Sequence, residues 1–361
     1  MTKLIEMSKL KIALRAFGFL AIVLTIFPYI PVNSWIVRVF DFPHLQLTVL
    51  STIAFLVYFF RFEIKDRFDQ IFVIILLGCI TVQLQKIYIY TPLAKYEIKM
   101  ASKNAKTNLS IYAANVLQNN ENKKLVIQDA TLKSADVLLF TETNQNWTEK
   151  LNESFHGHYE YQIEVPLENT YGMTMYSKYE LFEPMVKYMV EDTIPSIHTK
   201  LILPTKDTIQ IFAIHPAPPT PQHNPSSVDR DAEMMKVAML TRSSKYPVVV
   251  MGDFNDVAWS ETTELFQRVS GLLDSRKGRG LYNTYNADSY IMRWPLDHVF
   301  SSAAFRVIDI KVGEDIGSDH FPFYTNFSFE PTLSLEQKLP EPTEEEIKTA
   351  KNQIEKENKI S

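Results

Sequence analysis

Three long apolar stretches within the first hundred residues set the tightest limit on what this 361-residue chain can fold into. They lie at roughly 12–30, 43–60 and 69–90 and contain FGFLAIVLTIFPYI, LQLTVLSTIAFLVYFF and IFVIILLGCITVQLQKIYIY. A helix that crosses a bilayer needs about 20 mostly apolar residues and satisfies its own backbone groups. The second stretch is a little short for this. The third has Lys86 near its end, where a long side chain can reach the interface. Tyr29, Trp35, Tyr58, Tyr88 and Tyr90 crowd the ends, in the manner of an interfacial aromatic belt. The pattern predicts a membrane region over 1–95 with about three transmembrane helices. A buried helical bundle is the alternative. A cleaved signal peptide fits less well, because further apolar stretches follow and no clear small-residue cleavage site is present.

Loop charges bear on orientation. Lys3, Lys9, Lys11 and Arg15 lie at the start, and Arg61, Lys65 and Arg67 join the second and third stretches, whereas the first link carries only Arg38. Positive loops stay inside. The expected protein is therefore a multi-pass cell-membrane protein, with the bilayer as a partner and everything past residue 95 extracytoplasmic. Lys95, Lys99, Lys103 and Lys106 argue the other way.

The rest of the chain divides into a linker at 96–106, a domain at 107–330 and a tail at 331–361. The tail is Pro-broken and rich in Glu and Lys, which predicts disorder or a frayed exposed helix. The domain carries 19 Lys and Arg against 29 Asp and Glu, a net of −10. That gives no bulk basic surface for duplex nucleic acid. The single cysteine, Cys79, rules out an intrachain disulfide and a cysteine zinc cluster.

Within 107–330, strand patterns occur at LSIYAAN, DVLLFTE, YGMTMYS, IHTKLIL, TIQIFAIH, PVVVMGD, LDHVFSS and FPFYTNFSF. Helices are expected at 123–134, 226–243 and 259–270, the second opening on the capping residues Ser226 and Ser227. About eight strands with few helices suit two face-to-face sheets with helices outside.

The strand ends carry the chemistry. LSIYAA runs into Asn115, DVLLFT into Glu142, IQIFAI into His215, VVVMG into Asp253 and Asn255, and WPL into Asp297, while Asp319 and His320 precede FPFYTNF. Asp253 and Asn255 are two apart, which in extended chain puts both on one side. GDFND alone reads equally well as a turn, since Gly, Asn and Asp are turn formers. Six apolar runs that each meet a polar, ligand-capable group are hard to explain as turns.

This ordered set resembles the endonuclease/exonuclease/phosphatase superfamily of metal-dependent phosphoesterases. The matching stretches are AANVL, ADVLLFTET, IHPAPP, VVVMGDFND, PLDHVF and GSDHFP, spread over about 107–330. IHPAPPTP and DFNDVAWS look closest to a bacterial branch with membrane helices ahead of the domain. The resemblance implies a four-layer α/β sandwich with two mixed β-sheets flanked by helices. It implies Glu142 as principal metal ligand with Asn115 and Asp319 beside it, for Mg²⁺ or Mn²⁺, as an all-oxygen donor set suits. It makes Asp253 the group that orients or deprotonates water, Asn255 a phosphate ligand, and His320, held by Asp297, a phosphate or proton-transfer group. His215 becomes a second phosphate or acid–base histidine.

Further residues are placed by their positions. Arg230 falls in line with Met234 and Val237 at helical spacing and either reaches inward to a phosphate or snorkels. His298 follows Asp297 in a strand, so it points to the opposite face as a structural residue. Trp259 lines the cleft or caps a helix start. His156, His158, His198 and His223 have no evident partner.

The implied activity is hydrolysis of phosphoester or phosphodiester bonds by in-line attack of an activated water. The substrate is a lipid, nucleotide or nucleic acid, and no obligate protein partner is implied. The alternatives are a nuclease acting on extracytoplasmic nucleic acid and a catalytically silent phospho-ligand-binding domain.

Overall fold

The computed structural model describes residues 2–357 and Lys359, apart from Asn104, Gln222 and His223. His223 thus lies outside the described residues.

The apolar stretches form helices α1 (Thr2–Ile26), α3 (His44–Phe59) and α4 (Arg67–Tyr88), with a short α2 (Trp35–Arg38) between the first two. Segments Lys9–Tyr29 and Arg67–Tyr88 are each long and apolar enough to cross a membrane. α3 has 16 residues, or about 24 Å of helix, which is short of a bilayer core. It reaches spanning length only when joined to Trp35–Asp41 across a 76° bend. The three long helices pack through Ala21, Ile22, Ala54, Tyr58, Phe72 and Leu76. Phe19, Leu20, Val23, Ile53, Leu56, Ile71 and Ile74 are exposed on the outside of the bundle. At one end Asp69 pairs with Lys11 and Arg15, each at 2.7 Å.

The remainder is two six-stranded mixed sheets packed face to face. The first has the order β11-β12-β1-β2-β4-β3, built from β1 (Asn108–Asn115), β2 (Val137–Thr141), β3 (Tyr161–Val165), β4 (Met173–Ser177), β11 (Phe305–Val312) and β12 (Phe323–Phe329). The second has the order β5-β6-β7-β8-β10-β9, from β5 (Leu181–Tyr188), β6 (Pro195–Ile202), β7 (Thr208–Ala213), β8 (Val248–Asp253), β9 (Leu273–Asp274) and β10 (Asp297–Ser301). The pairs β1/β2 and β7/β8 are parallel, and β10 and β12 run antiparallel to their neighbours β8 and β1. Ile111, Leu139 and Met175 of one sheet meet Ile211, Val249, Met251 and Val299 of the other in the central core. α5 (Lys123–Lys133) and α6 (Gln145–Phe155) cover the first sheet. α7 (Val228–Ser243) and α8 (Glu261–Ser270) cover the second. The four layers are those expected from the sequence.

Two stretches differ from expectation. The tail, expected to be disordered or a frayed exposed helix, includes α9 (Glu344–Glu357), which is helical but docked, packing on α7 and α8. Ala350 is fully buried, Ile347 and Ile354 pack on the same cluster, and Arg268 bonds Glu346 at 2.8 Å. Three apolar residues on one face at positions 347, 350 and 354 are enough to dock an otherwise charged helix. The expected linker at 96–106 is tied down as well. Ile98 is buried, Glu97 accepts from the Asp274 amide at 2.6 Å, and Ala101 N–H donates to Val307 at 2.8 Å.

Candidate active site

Topology explains why the polar groups meet. Asn115, Glu142, His215 and Asp253 stand at or just past the C-terminal ends of the two parallel pairs. Asp297 starts β10, and Asp319 and His320 precede β12; both strands run the other way, so these residues reach the same edge. Asp297 is directly opposite Asp253 in the ladder. The result is a cleft of about 300 Å³ lined by Asn115, Glu142, His215, Asp253, Asn255, Asp319 and His320.

The question posed by GDFND, turn or site, has a double answer. Asp253 Oδ1 accepts from the Asn255 amide at 2.9 Å, closing an Asx turn. Its other oxygen, Oδ2, faces the cleft, 3.1 Å from Asn115 Nδ2, 3.6 Å from His320 Nε2 and 3.7 Å from His215 Nε2. The strand ends at Asp253, so Asn255 reaches the cleft through the turn and not by extended-chain alternation. Asn255 has φ 51° and Glu142 φ 63°, left-handed values that non-glycine residues hold at a cost and that cluster at functional sites. Gly252 permits the turn: at φ 135° a Cβ would lie 2.0 Å from the Ile214 carbonyl oxygen.

His320 Nδ1 donates to Asp297 Oδ2 at 2.8 Å, which fixes the ring and aims Nε2 at Asp253. Burial alone would lower its pKa, but Asp297 and Asp253 override this and push it up to about 10. His215 is buried against the Tyr171 ring, centroids 5.3 Å apart, and its Nδ1 has no hydrogen-bond partner among the described residues. Asn255 Nδ2 donates to the Pro216 carbonyl at 3.0 Å, tying the turn to the proline loop after His215.

Two expected site residues have neighbours the sequence did not show. Asn115, expected beside the metal, stands at the cleft wall. Its Oδ1 accepts from the Leu117 amide at 3.0 Å, and its Nδ2 donates to Glu142 Oε1 at 2.8 Å and to Asp253. It therefore holds the two carboxylates in place. Arg230 was expected to touch substrate. It is buried, with Nη1 2.9 Å from the Asn255 carbonyl oxygen and 3.2 Å from Asp256, and Nη2 2.8 Å from Asp231. It braces the turn from behind, because two buried carboxylates compete for its charge.

The donor set fits a hard divalent cation. Glu142 and Asp319 line the cleft beside Asp253, and burial with the charges of Glu142 and Asp253 pushes the Asp319 carboxyl above the usual range. Crowded carboxylates of this kind are relieved by a cation. Asp253, Asp297 and His320 also place ligand-capable atoms within 4.8 Å of one another. In that trio His320 Nδ1 is taken up by Asp297, whereas Glu142 and Asp319 offer carboxylate oxygens at the cleft wall, the donor type a hard cation prefers.

Other residues behave as structural. His298 is buried, donates from Nε2 to the Asp256 carbonyl at 2.9 Å and accepts from Arg276 at Nδ1. It lies on the far side of β10, as alternation predicts. Several cleft residues were not anticipated. The Gln118 amide donates to Glu142 Oε2 at 3.2 Å, and Ser318 Oγ donates to the Asn115 carbonyl at 2.8 Å. Tyr171 and Tyr285 flank the two histidines, and Trp35, Arg38, Val39 and Phe42 come from the segment between the first two apolar helices. The SDH stretch contained Ser318 in plain view; the N-terminal residues carried no signal linking them to the site.

A model of the endonuclease/exonuclease/phosphatase family matches residues 107–320, and the chain belongs to that family. Its members are divalent-metal-dependent phosphodiesterases and nucleases. Comparison with curated proteins gives no match. Solved structures share the fold. TDP2 of D. rerio, complexed with a single-strand DNA product, is 13% identical with a TM-score of 0.52, covering 62% of this chain and 100% of its own. A conserved protein of unknown function from Enterococcus faecalis V583 is 16% identical with a TM-score of 0.51, at 62% and 100% coverage. The human nocturnin catalytic domain, with a bound sulfate anion, is 16% identical with a TM-score of 0.50, at 62% and 94% coverage.

Proposed function

We propose that this protein is a membrane-anchored, Mg²⁺- or Mn²⁺-dependent hydrolase of phosphoester or phosphodiester bonds. The observation that carries the reading is the position of Asp253 Oδ2, free of the turn and set between His215, His320 and the Asn115 amide. A carboxylate there takes a proton from water and directs it at phosphorus. His320, kept protonated by Asp297, offsets charge on a phosphate oxygen or protonates the leaving oxygen. His215, with its free Nδ1 inside the fold, presents Nε2 to the cleft as a second such group. Asn255 sits where it contacts a phosphate oxygen. Glu142 and Asp319 would hold the cation, which when bound supplies Lewis-acid stabilisation of phosphoryl charge. The full chain is expected to hydrolyse a chromogenic phosphodiester with Mg²⁺ and to lose that activity in EDTA; an undiminished rate in EDTA contradicts the reading.

The anchored arrangement is supported by which end of the bundle meets the domain. Lys11, Arg15, Arg61, Lys65 and Arg67 lie at the end where α1 begins and α3 and α4 join. The domain contacts the opposite end: the Trp35 amide donates to the Pro225 carbonyl at 2.7 Å, and Tyr90 Oη donates to the Ala258 carbonyl at 2.7 Å. Positive residues stay inside, so the domain is extracytoplasmic. A reporter active only outside the cytoplasm, fused after residue 330, is expected to be active. Activity from a cytoplasmic reporter at that point instead would reverse the orientation.

A further inference from the structure

One wall of the catalytic cleft belongs to the membrane region. Trp35, Arg38, Val39 and Phe42, from the segment between the first two apolar helices, line the same cleft as Asp253 and His320. The segment is fastened in place. Ser227 N–H donates to Asn33 O at 2.9 Å, and Trp259 Nε1 donates to Asp41 O at 2.8 Å. Phe42 packs edge-on against Trp294 with centroids 5.5 Å apart. Arg38 holds its own hairpin, donating to Ile30 O at 2.6 Å and Val32 O at 3.0 Å. The VAWS stretch that follows the catalytic turn is the domain's half of this joint. Val257, Ala258 and Trp259 are buried against Ile87 and Tyr90 at the end of α4.

The loop before β10 meets the same N-terminal region. Tyr290 and Ile291 are 94% and 74% exposed at the tip of the loop before β10. The Ile291 carbonyl accepts from Gln46 Nε2 at 2.6 Å, in the first turn of α3. A large apolar tip left in water is unfavourable, and here it lies beside the first turn of the apolar helix α3.

We propose that the Trp35–Phe42 segment is a substrate wall and that the substrate is a phospholipid taken at the bilayer surface. Its apolar part lies against Trp35, Val39 and Phe42, and its phosphate ester reaches Asp253. This rests on the hydrolase reading above. The chemistry balances with water alone: the water oxygen bonds to phosphorus, one P–O ester bond breaks, Asp253 takes a proton and the leaving oxygen gains one. The bulk charge of the domain, −10 over 107–330, fits a lipid better than a polyanionic strand.

The test uses the full chain with Mg²⁺ and three probes. These are phosphatidylethanolamine/phosphatidylglycerol vesicles, soluble bis(p-nitrophenyl) phosphate and a single-stranded DNA oligonucleotide. Vesicle lipid is expected to be hydrolysed with a higher kcat/KM than the oligonucleotide. Trp35→Ala and Phe42→Ala should each lower the ratio of lipid to soluble-diester turnover about tenfold, mainly through KM, as loss of a buried aromatic contact does. Phe42→Leu should restore much of that ratio. Equal losses on both substrates would make the segment a scaffold and overturn the proposal. So would turnover of the soluble diester or of DNA with none of vesicle lipid, an outcome that leaves the hydrolase reading standing. No turnover of any probe would remove both.

Discussion

Asp253→Asn is expected to retain the fold and to lose on the order of a hundredfold or more in phosphodiester turnover, the scale of removing a general base. The two oxygens of Asp253 do separable work. Oδ1 closes the Asx turn on the Asn255 amide, and an asparagine carbonyl can do the same. Oδ2 faces Asn115, His215 and His320 from inside the cleft. Replacing it by an amide nitrogen removes the charge and the basicity together and sets two donors face to face at Asn115. A modest fall in Tm is therefore expected beside a large fall in kcat. Asn255→Ala should lose rate in the same direction through its phosphate contact, with the fold kept. The check is thermal unfolding beside diester hydrolysis for each variant. Near-wild-type turnover in Asp253→Asn would remove the catalytic role, and a collapse in Tm with activity lost in proportion would leave only the turn.

The second large effect is on stability. Arg230→Ala strips the positive charge shared by Asp231 and Asp256 and frees the Asn255 carbonyl. Breaking a buried ion pair by removing one partner costs about 3–5 kcal/mol. For a domain of this size that corresponds to a fall in Tm on the order of 10 °C. Asp231 also accepts from Ser227 Oγ at 2.9 Å and from Asn33 at 3.3 Å, so the loss spreads to the joint with the membrane region. Arg230→Lys should recover part of the loss, since one ammonium cannot reach all three partners as a guanidinium does. A melting temperature for Arg230→Ala within about 1–2 °C of wild type would show that the network is not holding the turn.

What the sequence makes legible follows from where side chains must point. Strands buried on both faces, such as Val248–Asp253, are plain as apolar runs, and the polar residues that stop them mark one end of the sheets. β3, β5, β9 and β11 escape such a reading. β5 is an exposed edge strand with Pro184 and a bulge, and β9 has only two residues. β11 is also an edge strand, with its own register shift between Val307 and Asp309. α6 is missed although Trp147, Leu151 and Phe155 repeat every four residues and are all buried, because polar residues between them hide the period. The site residues were legible as a set, but two roles were not. Whether Asn115 offers its oxygen or its nitrogen is decided by the Leu117 amide, and whether Arg230 reaches the cleft is decided by Asp231 and Asp256. Both depend on neighbours that only the folded chain brings together. The same holds for Trp259, which neither caps its helix nor lines the cleft but docks on Asp41 and Tyr90. The capping is done by Ser260, whose hydroxyl accepts from the Thr263 amide.

The most direct test of the central claim, that these strand ends form one metal-dependent phosphodiesterase centre, is an Mg²⁺ titration of diester hydrolysis by the EDTA-stripped full chain and by Glu142→Gln. Glu142 is singled out because Asn115 and Gln118 N–H hold its carboxylate at the cleft and no ion pair engages it among the described residues. The expected result is no rate without metal, a saturable rise for wild type, and for Glu142→Gln a half-saturating Mg²⁺ concentration raised by about tenfold or more with a lower plateau, the loss expected from one charged hard ligand. A full rate in the stripped wild type, or a titration of Glu142→Gln that overlays the wild type, would contradict it.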